Sequence, residues 1–289
     1  MILITGATGT VGRPLVELLK SGEVAVRAVS RSADGALPEG VEPVIADLAR
    51  PESLAPALEG VSTLFVHPRA VGESAGKLMA MAAEHGVRRV VVLSAINVDD
   101  DPAYQPSRQN GDRNKEVEDA VTGSGLPWVA VRSSTFAVNA IGMFGAQVRA
   151  GDVVRGPYAN FAESSIHEAD LAAVIAHALL HDDLDGRRIP VTGPQSLTHE
   201  EQVAVIGKVL GRSLTFVEVP AEAAAEGLVA RGIPGAFVTA LMARYARGAG
   251  QPAEVTDEVE RILGRPARTF ADWVGDHTHA FLRNTASPA

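Results

Sequence analysis

Cysteine is absent from the 289-residue sequence, which excludes disulfides, thiolate nucleophiles and cysteine-ligated zinc sites. Lysines and arginines form no cluster, and the net charge of −9 argues against nucleic acid as a partner. No apolar run reaches the roughly 20 residues of a membrane-spanning helix, and the N-terminus has neither a basic region nor a cleavable apolar stretch. We therefore expect a cytoplasmic protein without nucleic-acid or membrane partners.

Metal ligands in a suitable arrangement are also missing. Three consecutive carboxylates, Asp99, Asp100 and Asp101, suggest a cation, but no histidine or spaced acidic partner accompanies them. Such a run predicts a solvated loop rather than a site. We expect no bound metal.

Apolar residues are plentiful, at 46% of the chain against 21% charged residues, and these are the values of a globular protein. A chain of this length can bury a large core in one large domain or two modest ones. Apolar runs alternate with helical patterns as far as a sixth strand, residues 127–132, and this alternation predicts a parallel sheet.

The first thirteen residues carry the most specific motif. The β-rich run Ile2, Leu3, Ile4 is followed by Gly6, Gly9 and Gly12, and a helical pattern begins at once. In dinucleotide-binding folds such glycines allow the sharp turn, the close approach of the pyrophosphate and the packing of helix on sheet. The helix N-terminus then faces the phosphates. An ordinary glycine-rich turn without a ligand is the alternative.

The end of the second strand bears on the choice of cofactor. No Asp or Glu stands at Ser30 or Arg31, where an acidic residue would bind the ribose 2′-hydroxyl of NAD and an arginine suits the 2′-phosphate of NADP. This favours NADP(H), with a solvated strand-end arginine as the alternative. The residues that we expect to bind the cofactor are Gly6, Ala7, Thr8, Gly9, Thr10, Val11, Gly12, Arg13, Ser30, Arg31, Asp47, Leu48, Val66, His67 and Lys115.

The predicted fold is α/β, a Rossmann-type doubly wound parallel sheet with a smaller C-terminal substrate lobe. We expect residues 1–155 to form the NAD(P)-binding domain, with 163–195 returning to it, and 196–289 to form a mainly helical lobe. One continuous helix is predicted over 107–122, carrying Lys115. The substrate is expected in the cleft between the two parts.

Several segments, taken in order, resemble the NmrA-like family of atypical short-chain dehydrogenases. The resemblance covers residues 1 to about 220, and it rests on residues 6–13, Arg31, the strand end 90–95, the Lys115 helix, residues 125–132 ahead of Phe136 and Asn139, and residues 166–172, 188–192 and 197–201. The family includes NADPH-dependent quinone and enone reductases, and proteins that bind the nucleotide without evident turnover.

The resemblance also implies roles for individual residues. Lys115 would hold the nicotinamide ribose, Ser94 would donate to the substrate oxygen, and Phe136 and Asn139 would line the substrate pocket. Tyr104 is a candidate for a displaced acid. A solvated helix lysine and a strand-end cap are the alternatives for Lys115 and Ser94.

Two positions depart from the family pattern. Gly111 stands where the tyrosine of the usual Tyr-x-x-x-Lys motif would precede Lys115, so the usual proton donor is absent. Ser133 replaces the proline that follows the arginine at position 132, which puts the shape of the nicotinamide-side loop in doubt.

We therefore predict an NADPH-dependent oxidoreductase that reduces a small quinone, enone or carbonyl compound. An NADP(H)-binding redox sensor without turnover is one alternative, and a non-redox enzyme such as an epimerase, dehydratase or cyclase is another. The expected partner is a small-molecule substrate, and a homodimer is an open alternative for the assembly.

Overall fold

Seven parallel strands form the central sheet among the residues that the computed structural model describes, 1–30, 37–48 and 50–282. These strands are β1 (Ile2–Ile4), β2 (Val26–Ser30), β3 (Glu42–Ile45), β4 (Thr63–Val66), β5 (Arg89–Ala95), β6 (Trp128–Ser133) and, later in the chain, β9 (Arg188–Val191). Their order in the sheet is β3-β2-β1-β4-β5-β6-β9. The order reverses between β1 and β4, and a crevice at such a point is where open α/β sheets bind ligands.

Helices cover both faces of this sheet. The helices of the chain are α1 (Gly12–Ser21), α2 (Ala55–Leu58), α3 (Pro68–Val71), α4 (Ala75–Glu84), α5 (Pro106–Gln109), α6 (Asn114–Thr122), α7 (Ala146–Ala150), α8 (Glu168–Leu180), α9 (His199–Leu210), α10 (Ala221–Ala230), α11 (Gly235–Gly248), α12 (Glu258–Leu263) and α13 (Phe270–Asp276). Helices α1 and α8 pack in one core, and α4 and α6 pack in the core on the opposite face. Because both faces are covered, strands such as β4 and β5 are almost wholly apolar.

A third core lies in the C-terminal part of the chain, where Trp273 and Phe281 are fully buried. Two small sheets accompany it. Strand β7 (Val153–Gly156) pairs in parallel with β11 (Thr215–Glu218), and β8 (Ala162–Glu163) pairs antiparallel with β10 (Leu197–Thr198). Helix α12 returns to the sheet and packs on α8, because Val259 belongs to the first core.

The α/β Rossmann-type prediction is confirmed. Helix α9 begins with a capping box. Thr198 Oγ1 accepts from the Glu201 backbone N–H at 3.2 Å, and Glu201 Oε2 accepts from the Thr198 N–H at 2.8 Å. The prediction of one continuous helix over 107–122 is wrong. Gly111 has φ +91°, outside the helical range, and the segment is split there into α5 and α6.

Among the residues described, none of the helices combines the length and the apolar character needed to cross a bilayer.

Candidate functional site

The glycine turn after β1 is built by backbone sterics. Gly6 has φ +67°, and a Cβ on it would lie 3.0 Å from His67 Cβ. A Cβ on Gly12 would lie 2.1 Å from the Gly6 carbonyl oxygen, so only glycine fits where α1 passes behind the turn. A Cβ on Gly9 would meet the Gly6 oxygen at 3.3 Å, which a small shift relieves. Gly9 is exposed, and the absence of a side chain there leaves its backbone open to a ligand.

Thr5 connects this turn to the end of β4. Its buried hydroxyl donates to the Phe65 carbonyl at 3.0 Å and accepts from the His67 N–H at 2.8 Å. These bonds place the His67 ring against Gly6. The cradle of bare backbone beside a helix N-terminus has the shape and the positive dipole that a pyrophosphate requires, so the residues present fit a dinucleotide.

The imidazole of His67 is largely enclosed. Burial lowers its pKa below the ordinary value of 6.5, with nearby Arg69 acting in the same direction and Asp112 opposing. The ring is therefore neutral at neutral pH. Its Nδ1 is buried and has no hydrogen-bond partner among the described residues, so the atom is available to a bound molecule.

One cavity of about 1260 Å³ extends from the glycine turn to the C-terminal lobe. It exceeds the roughly 300–1,000 Å³ usual for a single ligand, and so has room for a dinucleotide and a second molecule. The predicted site residues that line it are Gly6, Thr8, Gly9, Thr10, Ser30, Leu48, His67, Ser94, Phe136 and Asn139. The structure thus brings the expected cofactor and substrate residues to one space, and their individual contacts stay predictions.

Other predicted site residues lie outside this lining. They are Ala7, Val11, Gly12, Arg13, Asp47, Val66, Tyr104 and Lys115. Ala7, Val11 and Val66 are buried in the cores, so any ligand contact would be through their backbone. The Asp47 carboxylate accepts from Arg50 Nε at 3.1 Å. Arg31 lies outside the described residues.

Ser94 has a partner within the fold. Its hydroxyl donates to Glu118 Oε2 at 2.5 Å, and Glu118 also accepts from Arg132 at 2.6 Å and from Arg188 at 2.8 Å. Burial would raise the pKa of Glu118, but these hydrogen bonds outweigh it and hold the pKa below the ordinary value. Donation from Ser94 to a substrate oxygen would require breaking a bond to a buried carboxylate.

Lys115 and Tyr104 are similarly engaged. The Lys115 ammonium lies 2.7 Å from Asp119 Oδ1, one helical turn away, and its pKa is raised chiefly by that hydrogen bond. A ribose contact would require it to leave this carboxylate. The Tyr104 ring lies under the Arg247 guanidinium at 4.8 Å. To take their predicted roles, the side chains of Lys115 and Tyr104 would therefore have to leave these partners.

The lobe side of the cavity holds residues that sequence reasoning missed. Arg244 donates to Thr135 Oγ1 at 3.0 Å and to Glu163 Oε1 at 3.1 Å, and all three line the cavity. Tyr245 and His199 line the same wall. Burial raises the pKa of the Tyr245 hydroxyl above its ordinary value, so it stays protonated. Near His199 the sequence analysis used residues 197–201 only as part of the family resemblance, and the capping box at Thr198 marks the start of a helix rather than a site.

Comparison with known proteins agrees with this geometry. A profile of the family described as NAD(P)H-binding matches residues 6–182. The (4-alkanoyl-5-oxo-2,5-dihydrofuran-3-yl)methyl phosphate reductase of Streptomyces griseus is 35% identical over 283 residues, covering 97% of this chain and 99% of that protein. The NAD(P)H azoreductase of Xenophilus azovorans is 31% identical over 288 residues, with coverage of 97% and 99%.

A solved structure extends the likeness to the fold. The NADPH-dependent quinone oxidoreductase of Escherichia coli, complexed with NADPH, superposes with a TM-score of 0.82 at 22% identity, covering 96% of this chain and 100% of that one.

Proposed function

Because the chain belongs to the NAD(P)H-binding family, in the NmrA-like group of atypical short-chain dehydrogenases, we propose that this reductase uses NADPH to reduce an activated enone. By this we mean a C=C bond conjugated to two carbonyl groups. The observation that carries the proposal is the continuous cavity from the glycine turn to Phe136 and Asn139, in a chain that has Gly111 at the usual tyrosine position.

The absence of a tyrosine acid at position 111 affects which hydride acceptors the enzyme can reduce. The nicotinamide supplies a hydride when bound. A simple ketone then needs a proton on oxygen, and the acid that provides it is worth about 10²–10⁴-fold in rate. An acceptor whose reduced anion is delocalised over two carbonyls forms a stable enolate, which water can protonate after the hydride transfer. A site without a tyrosine at Gly111 is therefore best matched to such an acceptor.

The residues of this chain would then act by positioning. The glycine turn would hold the pyrophosphate, and His67, with an unbonded Nδ1, would contact the cofactor beside it. Phe136 and Asn139, both in the cavity lining, would orient the acceptor, the first by ring contact and the second through its amide. Holding reactants in a productive geometry is itself a large contribution to rate.

The names of the relatives support a conjugated acceptor. The compound in the name of the Streptomyces griseus relative has a ring C=C next to both an alkanoyl group and a ring carbonyl. The second relative is named for azo reduction. The first name thus contains a conjugated C=C bond, and the second names an N=N double bond as the group reduced.

The phosphate in the first name also has a counterpart in the cavity. Arg155 on β7 and Arg231 after α10 both line it, and neither has an ion-pair partner in the part of the chain that the structure describes. The other arginines of the lining, Arg69 and Arg244, are paired with carboxylates. We include an anionic group on the substrate, near Arg155 and Arg231, in the proposal.

The preference for NADPH over NADH is part of the same proposal. It is supported by Arg31 in the sequence, at the position suited to a 2′-phosphate.

The experiment is an acceptor series with purified protein and NADPH, followed by loss of the reduced-nicotinamide absorbance. We expect turnover to fall from a 3-acyl-2(5H)-furanone to 2(5H)-furanone to a saturated ketone, by about 10²-fold or more over the series, in line with the worth of a missing acid. Addition of a phosphomethyl group to the furanone should lower KM. Equal turnover of the ketone and the acylfuranone would contradict the choice of substrate, and no turnover of any acceptor would favour the NADP(H)-sensor alternative.

A further inference from the structure

The wall of the cavity in the C-terminal lobe contains a histidine enclosed by aromatic rings. His199 is 1% exposed. Its ring centroid lies 4.9 Å from that of Tyr245, 5.4 Å from Phe161, 6.1 Å from Phe144 and 6.5 Å from Phe216. His199, Tyr245, Phe144 and Phe216 all line the cavity. A molecule in this part of the cavity meets flat apolar surfaces and one imidazole.

The hydrogen bond on one side of the ring determines what the other side offers. His199 Nδ1 lies 3.2 Å from the Pro157 carbonyl oxygen. A carbonyl can only accept, so Nδ1 carries the hydrogen, and Nε2 of the neutral ring has a bare lone pair. Burial lowers the pKa of His199 below the ordinary value of 6.5, which keeps the ring neutral at neutral pH.

Nε2 is left without a partner. It is buried, and no hydrogen-bond donor reaches it among the residues at 1–30, 37–48 and 50–282. Buried polar atoms in folded proteins are almost always bonded, and an unbonded one is costly unless a ligand or water uses it.

The charged groups beside the ring do not supply a hydrogen-bond donor to Nε2. Glu163 and Arg244 are the charges that act on His199, and they are bonded to each other at 3.1 Å. Because each is already paired with the other, neither charge is free to pair with a ligand, and the wall suits an uncharged group.

We propose that His199 determines substrate specificity by accepting a hydrogen bond at Nε2 from an O–H or N–H group on an uncharged, flat part of the substrate. A phenol hydroxyl has the required chemistry, because its ring would lie among Phe144, Phe216 and Tyr245 while its hydrogen reaches Nε2. The inference deepens the proposed function and rests on it in one respect, that this cavity is where the substrate binds.

The test compares two probes whose para oxygen carries either a hydrogen or a methyl group, and the His199→Phe variant separates the effect of the donor from that of size. 4-Hydroxychalcone and 4-methoxychalcone are titrated into NADP⁺-saturated protein, and the dissociation constants are measured calorimetrically, so that no turnover is needed. One net hydrogen bond is worth about 0.5–1.5 kcal/mol, which corresponds to roughly two- to tenfold in affinity. We expect the hydroxy probe to bind tighter by this factor in the parent protein and with equal affinity to the methoxy probe in His199→Phe.

Phe216→Leu is the matched control. It removes ring contact from the same wall and leaves Nε2 in place, so it should weaken both probes and preserve their ratio. NADP⁺ affinity should be unchanged in both variants, because neither residue lies near the glycine turn.

A second measurement keeps the inference open to refutation if His199→Phe does not fold. In uniformly ¹⁵N-labelled parent protein, the His199 Nε2 resonance should move upfield on addition of the hydroxy probe and stay in place with the methoxy probe. Equal affinities in the parent protein, an unchanged ratio in His199→Phe, or failure of both probes to bind would each overturn the inference. Because the titrations involve no turnover, these outcomes are independent of the enone-reduction experiment.

Discussion

The two ends of the cavity are walled by different parts of the chain. At the nucleotide end, beside the glycine turn, the contacts come from the backbone of Gly6 and Gly9, with Gly12 packed behind them; Thr5 and the end of β4 hold this turn in place. At the lobe end they come from side chains, and Arg244 reaches Thr135 across a separation of 109 residues. One end depends on the absence of side chains, and the other on which side chains are present.

This difference has a consequence for how the protein tolerates change. A side chain added at Gly12 meets the backbone of Gly6 and Ala7 at distances that require the backbone to move, whereas a substitution in the aromatic wall changes the shape and polarity of a surface. We therefore expect substitutions at the lobe end to leave nucleotide binding unchanged, since the two ends share no residue and independent sites usually add.

The largest expected effect is at Gly12, and it would test the rigidity of the nucleotide end. In Gly12→Ala, a Cβ 2.1 Å from the Gly6 oxygen forces the helix away from the turn. We expect a loss of about 3 kcal/mol or more in the free energy of unfolding, at the upper end of overpacking effects. Chemical denaturation followed by circular dichroism measures it.

Gly9→Ala is the matched control for that prediction. Its Cβ would meet the same oxygen at 3.3 Å, so the free energy of unfolding should change by less than about 1 kcal/mol. NADPH affinity should nevertheless fall sharply, because the methyl group occupies space beside the expected pyrophosphate. Similar losses of unfolding free energy in Gly12→Ala and Gly9→Ala would contradict the assignment of a packing role to Gly12 and a ligand-contact role to Gly9.

The second expected effect is on cofactor preference, and it tests whether a side chain, Arg31, adds to the backbone contacts at the nucleotide end. A charge-assisted bond to the 2′-phosphate is worth about 1.5–3 kcal/mol, or roughly ten- to a hundredfold in affinity. Arg31→Ala should weaken NADPH by this factor and leave NADH nearly unchanged, as measured by calorimetric titration. Equal affinities of the parent protein for NADPH and NADH would refute the preference.

The smallest expected effect is on acid stability, and it compares the one buried histidine at each end. The pKa values of His67 and His199 are both lowered from 6.5 by burial. Below pH 6.5 the unfolded chain therefore binds more protons, and stability falls as pH falls. Well above pH 6.5 both imidazoles are neutral in the folded and the unfolded chain, so they add nothing to the pH dependence of stability. Each contributes up to about 1.4 kcal/mol per pH unit.

The measurement is denaturant unfolding from pH 7.5 to pH 5 in the parent, in His199→Phe and in a control that replaces the exposed His279 by Gln. His199→Phe should flatten the acid slope, and His279→Gln should leave it less changed. An identical slope in His199→Phe and the parent would mean that the buried imidazole does not carry this dependence.

Some of the site was predictable because its signal is local. The glycine spacing in residues 6–12, the strand before it and the helix after it lie in one short run, and the same steric limits operate wherever that run occurs. The same is true of the parallel sheet, since buried strands such as β5 are apolar on both faces. The capping box at Thr198 needs only a turn of helix.

Other assignments failed or stayed open because apolar periodicity and motif spacing do not specify the partner of a polar side chain or the φ of a single residue. The hydroxyl of Ser94 has a buried carboxylate partner in Glu118, 24 residues away. The cofactor contact of Lys115 stays a prediction, and its ammonium lies beside Asp119, four residues along the same helix. Gly111 ended a helix because of its positive φ, which its neighbours in sequence do not specify.

The sequence by itself determined the phosphate turn and the class of fold, because glycine sterics and apolar periodicity act between near neighbours. Only the tertiary structure decided the aromatic wall at the lobe end of the cavity. His199 begins α9, Phe144 precedes α7, Phe216 lies in β11 and Tyr245 in α11, and no pattern of spacing links these positions. Phe144, Phe216 and the apolar face of α9 meet in the third core, Tyr245 of α11 packs on His199 from the other side, and the unpaired nitrogen of His199 exists only in that packing.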